Sequence, residues 1–154
     1  LRLSGAVIPG VPNLHSHAFQ RAMAGFAERR SPEGQDSFWT WRDTMYRFVG
    51  RFSPEDAEAV AAQLYAECLE WGFTGIAEFH YLHHQPDGTP YADRAEMALR
   101  HVAAARRAGI GITMLPCLYR HSPRRGRWSW PAWPPRCRVM AMPRSALRRI
   151  RCAQ

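Results

Sequence analysis

Twice in this sequence a helical pattern stops on a glycine and an apolar, strand-forming run follows at once. This repeated order restricts the fold more than any other feature. The first unit opens at Ser53-Pro54-Glu55-Asp56, with a capping residue, a proline at the first helical position and acids in the first turn. Val60, Leu64, Tyr65, Cys68, Leu69 and Trp71 then recur at helical spacing until Gly72, which predicts a helix over 54–71. FTGIAEF at 73–79 is apolar and partly β-branched and reads as a buried strand. The second unit repeats the grammar, with a turn at Asp87-Gly88-Thr89-Pro90, a helix over 91–108, Gly109 as its stop and a strand over 110–118.

An earlier strand over 5–14 precedes a helical stretch after Ala18 and an aromatic helix over 37–49. Three strands separated by segments long enough to cross over imply parallel βα units and an α/β fold. A closed eight-stranded barrel takes about 250 residues. Three βα units make an incomplete sheet or barrel, and residues 1–120 look like a piece of the latter, the first three βα units of a partial TIM-type (β/α)8 barrel. The first residue is Leu1 and no signal-peptide pattern follows, so an upstream segment is expected to be missing.

The net charge of +8 suggests a nucleic-acid partner until it is located. Residues 121–154 hold nine Arg and no acid, which leaves 12 basic against 13 acidic residues in 1–120. The body is near neutral. The Arg-, Pro- and Trp-rich stretch 121–154 shows no sustained period and reads as a divergent tail, disordered or out of frame. Its rival reading is a nucleic-acid arm that pairs Arg with stacking Trp; the expectation is no nucleic-acid partner. The four cysteines form no C-x-x-C pair, against a zinc knuckle or a disulfide framework. No apolar run approaches the roughly 18 to 20 residues that span a bilayer, so a cytoplasmic chain with no membrane partner is expected.

The run PNLHSHAFQR at 12–21 sets His15 and His17 two residues apart at the end of the first strand. Side chains two apart in a strand share a face, and parallel barrels place their active sites at this end. Two imidazoles so placed can ligate one Zn²⁺. Spacing alone leaves a pair of surface or capping histidines equally open.

PGVPNLHSH at 9–17 resembles the first-strand signature of the amidohydrolase superfamily. HSHAFQRAMAG at 15–25, SFWTWR at 37–42, Met45-Tyr46 and AEFHYLHH at 77–84 narrow it, over about residues 4–122, to the formimidoylglutamate deiminase family. The resemblance implies a zinc-dependent hydrolase of histidine degradation that converts N-formimidoyl-L-glutamate and water to N-formyl-L-glutamate and ammonia, a homodimer in the full-length parent. His15 and His17 match the metal ligands, and Gln20, Arg42 and Tyr81 match residues that hold the glutamate portion. The family's acid/base residues and remaining ligands lie on strands beyond the third, so no catalytic residue is expected within this chain. Alone, the chain is expected to be inactive. A guanine deaminase or chlorohydrolase type of amidohydrolase is the alternative, sharing the metal strand but not the substrate residues.

The same positions have plainer readings. Arg42 could pair with Asp43 or Glu28, and Tyr81 and Gln20 could be packing and surface residues. His80, His83 and His84 fit no standard zinc set and are expected in a loop or behind the site. Glu78 reads either as an acid or base or as an inward strand carboxylate paired with Arg.

Overall fold

The computed structural model describes residues 5–6, 8–27 and 38–117. The tail at 121–154, with the expectations attached to it, lies outside them, as do Glu28 and Leu118. The described elements run β1 (Val11–Ser16), a short 3₁₀ helix (Ala18–Met23), α1 (Phe38–Val49), α2 (Pro54–Glu70), β2 (Phe73–His80), α3 (Glu96–Ala108) and β3 (Gly111–Pro116). The strands form a parallel sheet in the order β1-β2-β3, as the two repeated units predict.

Helix α2 begins as its sequence dictates. Ser53 Oγ accepts from Asp56 N at 3.1 Å while Asp56 Oδ2 accepts from Ser53 N at 3.0 Å, with Pro54 at the first helical position. Two orphan amides are thereby satisfied reciprocally. At the other ends, Gly72 and Gly109 take φ of +85° and +82°, the left-handed turn that releases α2 into β2 and α3 into β3.

Two element starts differ from expectation by more than two residues. The first strand begins at Val11, and Ile8 stays outside it at 78% exposure, so the apolar run was misleading. Pro9 and Pro12 offer no N–H to a ladder, and the β1–β2 register shifts twice. Helix α3 starts at Glu96 instead of residue 91 because the Asp93 side chain accepts from Ala95 N at 2.9 Å, a local turn that competes with helix.

Along β2, Ile76, Glu78 and His80 are buried on one face, and Ala77 and Phe79 point the other way. Ala61, Tyr65 and Cys68 of α2 pack with Ala104 and Ala105 of α3, Ile76, Ile110 and Ala18 in one core. Both crossover helices therefore cover the same face of the sheet. A second core, of Phe19, Met23, Met45, Phe52, Ala57, Leu82 and Met97, seats the 3₁₀ helix and α1 against the segment leaving β2. Arg21 adds a bidentate pair from the 3₁₀ helix to Glu67 of α2 at 2.8 and 2.7 Å, which holds the Glu67 carboxyl down to about 2.

Candidate functional site

Where β1 ends, the chain turns at His17 into the 3₁₀ helix, and the two histidines converge. His15 Nε2 and His17 Nε2 lie 3.0 Å apart, with their rings edge to face. His17 Nδ1 lies 3.0 Å from the Phe79 carbonyl oxygen. A carbonyl only accepts, so Nδ1 carries the hydrogen and Nε2 carries the lone pair. His15 Nε2 then donates to His17 Nε2, and a cation taken between them would replace that one shared proton.

The pair fits a metal. Two nitrogens bound to one zinc ion at about 2.0–2.1 Å stand about 2.8–3.4 Å apart for angles of about 90–110°, and the observed 3.0 Å lies inside that span. Among the described residues no group of three His, Cys, Asp or Glu side chains could hold a metal ion. The pair could therefore supply only part of a ligand set, on the face that presents Phe79.

Gln20 and Tyr81 meet beside it. Gln20 Nε2 donates to Tyr81 Oη at 3.3 Å, and the Tyr81 ring stands edge-on to His17 with centroids 5.4 Å apart. Tyr81 Oη donates in turn to Met45 Sδ at 3.9 Å, which brings α1 to the site. Arg42 lies one turn before Met45 on α1. Its Nε and Nη2 donate to Tyr46 Oη at 3.1 and 2.9 Å, and its guanidinium carbon sits 5.3 Å from the Tyr46 ring centroid and 5.6 Å from that of Trp39. The structure thus gathers His15, His17, Gln20 and Tyr81, and holds Arg42 on a neighbouring helix by aromatic contacts.

Glu78 requires a correction. Among the described residues it pairs with no Arg, and it does not share the face of the histidine pair. Its side chain is 1% exposed on the helix side of β2, where Oε1 accepts from Ala18 N at 2.8 Å and Oε2 from Tyr65 Oη at 3.2 Å. Burial, followed by the Glu78 carboxylate, pushes the Tyr65 hydroxyl far above its ordinary range. His101 Nε2 lies 3.7 Å from Oε1, and its Nδ1 donates to the Met97 carbonyl at 3.0 Å.

His80 and His83 sit behind the site. His80 is 3% exposed, with rings of His83 and His101 both at 5.0 Å. His83 Nε2 donates to the Cys117 carbonyl at 2.8 Å. Desolvation holds all three imidazoles below their ordinary range, His80 furthest, with His101 and His83 adding repulsion there.

Sequence reasoning missed the Phe79 carbonyl, because every residue has one. It also missed Tyr46 as the holder of Arg42, although the i, i+4 spacing carries that signal.

No family model matches the chain. Over 121 residues it is 62% identical to formimidoylglutamate deiminase of Pseudomonas aeruginosa, a match covering 79% of this chain and 26% of the relative. It is 33% identical to 8-oxoguanine deaminase of the same organism over 76 residues, 49% of this chain and 16% of that protein. Among solved structures, an amidohydrolase from Brucella melitensis superposes with a TM-score of 0.69 at 58% identity, covering 78% of this chain and 27% of that one. The chain thus spans about a quarter of the length of the first deaminating relative and of the solved amidohydrolase. The resemblance read from the motifs holds at the level of whole segments: over some four-fifths of its length this chain is similar to formimidoylglutamate deiminase and to a structurally characterised amidohydrolase.

Proposed function

We propose that the protein to which this chain corresponds is a zinc-dependent amidohydrolase that converts N-formimidoyl-L-glutamate and water to N-formyl-L-glutamate and ammonia, as a cytoplasmic homodimer in histidine degradation. The observation that carries the reading is the 62% identity to formimidoylglutamate deiminase over 121 residues, 79% of this chain. The single-sided sheet, ordered β1-β2-β3 with α2 and α3 on one face, supports an arc of a TIM-type barrel over a doubly wound sheet.

In this reading His15 and His17 hold the ion through Nε2, and the Phe79 carbonyl keeps the His17 lone pair on that atom. Zinc, when bound, would acidify water and polarise the formimidoyl group. Arg42 offers a two-pronged donor to a carboxylate, held ready by Tyr46, while Gln20 and Tyr81 supply neutral hydrogen bonds. Proton transfer falls to groups beyond the third strand, because Glu78 is sealed on the other face.

The test is a substrate comparison on a full-length enzyme carrying these residues, offered N-formimidoyl-L-glutamate and purines in parallel. Ammonia from the former alone is expected. The similarity to 8-oxoguanine deaminase over half the chain favours a purine deaminase as second reading. Purine turnover without formimidoylglutamate turnover would establish it and remove the roles given to Arg42 and Tyr81.

A further inference from the structure

Two consecutive residues of β2 grip two consecutive residues at the end of β1, from opposite faces of the sheet. Phe79 takes the His17 Nδ1–H on its carbonyl at 3.0 Å, and Glu78 takes the Ala18 N–H on its carboxylate at 2.8 Å. The second contact is the unusual one. His17 caps the 3₁₀ helix with φ −129° and ψ 77° and makes no side-chain capping bond of its own. The first amide of that helix faces the core, where an amide without an acceptor is costly. A carboxylate from another strand supplies the acceptor.

Burying that carboxylate is itself expensive unless donors surround it. Here Ala18 N and Tyr65 Oη donate to it from the 3₁₀ helix and α2. Ile76, two residues earlier on the same face, shows that an apolar side chain packs there. Nothing in the proposed chemistry uses Glu78, so its cost calls for another function.

We infer that Glu78 is a positioning residue: its carboxylate fixes the peptide joining His17 to Ala18, and with it the direction of the His17 imidazole and the start of the helix that carries Gln20. Tyr65 Oη holds the carboxylate in place. Calling this positioning rests on the reading of His15 and His17 as metal ligands. Partners behind a ligand typically change metal affinity by about 10–100-fold when removed, so the loss of Glu78 should weaken the site without touching it.

The test uses the isotopically labelled 154-residue chain and NMR. In the unmutated chain, a through-hydrogen-bond coupling between the Ala18 amide and the Glu78 carboxylate is expected, with His17 as the Nδ1–H tautomer. Glu78→Gln keeps an acceptor oxygen and should preserve Ala18 protection and the single tautomer. Glu78→Met keeps the length without the acceptor and should speed Ala18 exchange about tenfold and let His17 populate both tautomers. No coupling in the unmutated chain overturns the inference, whether or not either variant folds. So does a Glu78→Met chain that keeps both Ala18 protection and the tautomer. Zinc chloride titrated into the unmutated chain to a large excess, enough to fill even the weak site that two imidazoles can offer, separates this from the metal reading. Unmoved His15 and His17 Nε2 signals overturn the metal assignment, while the Ala18 and tautomer results still decide what Glu78 does.

Discussion

His17 Nδ1 lies 3.0 Å from the carbonyl oxygen of Phe79, so a backbone atom of the second strand selects the tautomer of a side chain leaving the first. Free imidazole divides its proton between two nitrogens. Here the division is removed, and the nitrogen facing His15 is left with its lone pair. The site's chemistry is thus written partly in the pairing of β1 with β2.

The chain by itself should release no measurable ammonia from N-formimidoyl-L-glutamate and should hold zinc only weakly. Two imidazoles leave a tetrahedral ion short of protein ligands, and no third candidate stands among the described residues. An ammonia assay with zinc supplied, run beside a His15→Ala, His17→Ala double variant, decides this. Turnover that the double variant abolishes would show that the chain assembles a working site.

Tyr81→Phe removes one hydroxyl that accepts from Gln20 and donates to Met45. The loss expected in urea unfolding is about 0.5–1.5 kcal/mol. In a full-length enzyme the same change should raise KM for formimidoylglutamate more than it lowers kcat. An unchanged KM would remove Tyr81 from the substrate site.

Stability should fall as pH drops from about 7 to about 5. Burial holds His80, His83 and His101 below their ordinary range in the folded chain, whereas unfolding returns them to about 6.5. Below that value the unfolded chain binds protons that the native state refuses, so their contribution is present above about pH 6.5 and is lost on acidification. Urea midpoints at pH 8 and pH 5.5 measure it, and equal midpoints would contradict it.

Ser53→Ala deletes the hydroxyl that caps α2 and should cost about 1 kcal/mol, read as a lower thermal midpoint. Ser53→Asp should recover most of it, since a carboxylate also accepts from the Asp56 amide. Recovery will be incomplete because the new charge faces Asp56 Oδ2.

Features governed by local chemistry were legible from the sequence. The capping box at Ser53, the glycine stops at 72 and 109 and the parallel order of three strands follow from neighbours within a few residues. The histidine pair and the meeting of Gln20 with Tyr81 were legible through resemblance, because motifs preserve what spacing leaves open. Contacts between elements were not legible. Nothing near Glu78 in the sequence announces Ala18, Tyr65 or His101, and alternation along β2 does not say which face the helices will cover. The late start of α3 was hidden for a local reason, since Asp93 serves equally as a helix opener or a turn former until its side chain picks the Ala95 amide.

The face assignment of β2 also acts as a filter for reagents. Among the described residues His15 is exposed and His17 half-buried on the side away from α2 and α3, while His80 and His101 are buried on the helix side, 3% and 1% exposed. A solute that attacks any histidine it can reach, whether an acylating agent, an oxidant or a stray copper ion, meets the same residue type in two different states of availability. One pleat separates them, so damage or adventitious loading will reach the pair proposed to hold the metal before it reaches His80 or His101.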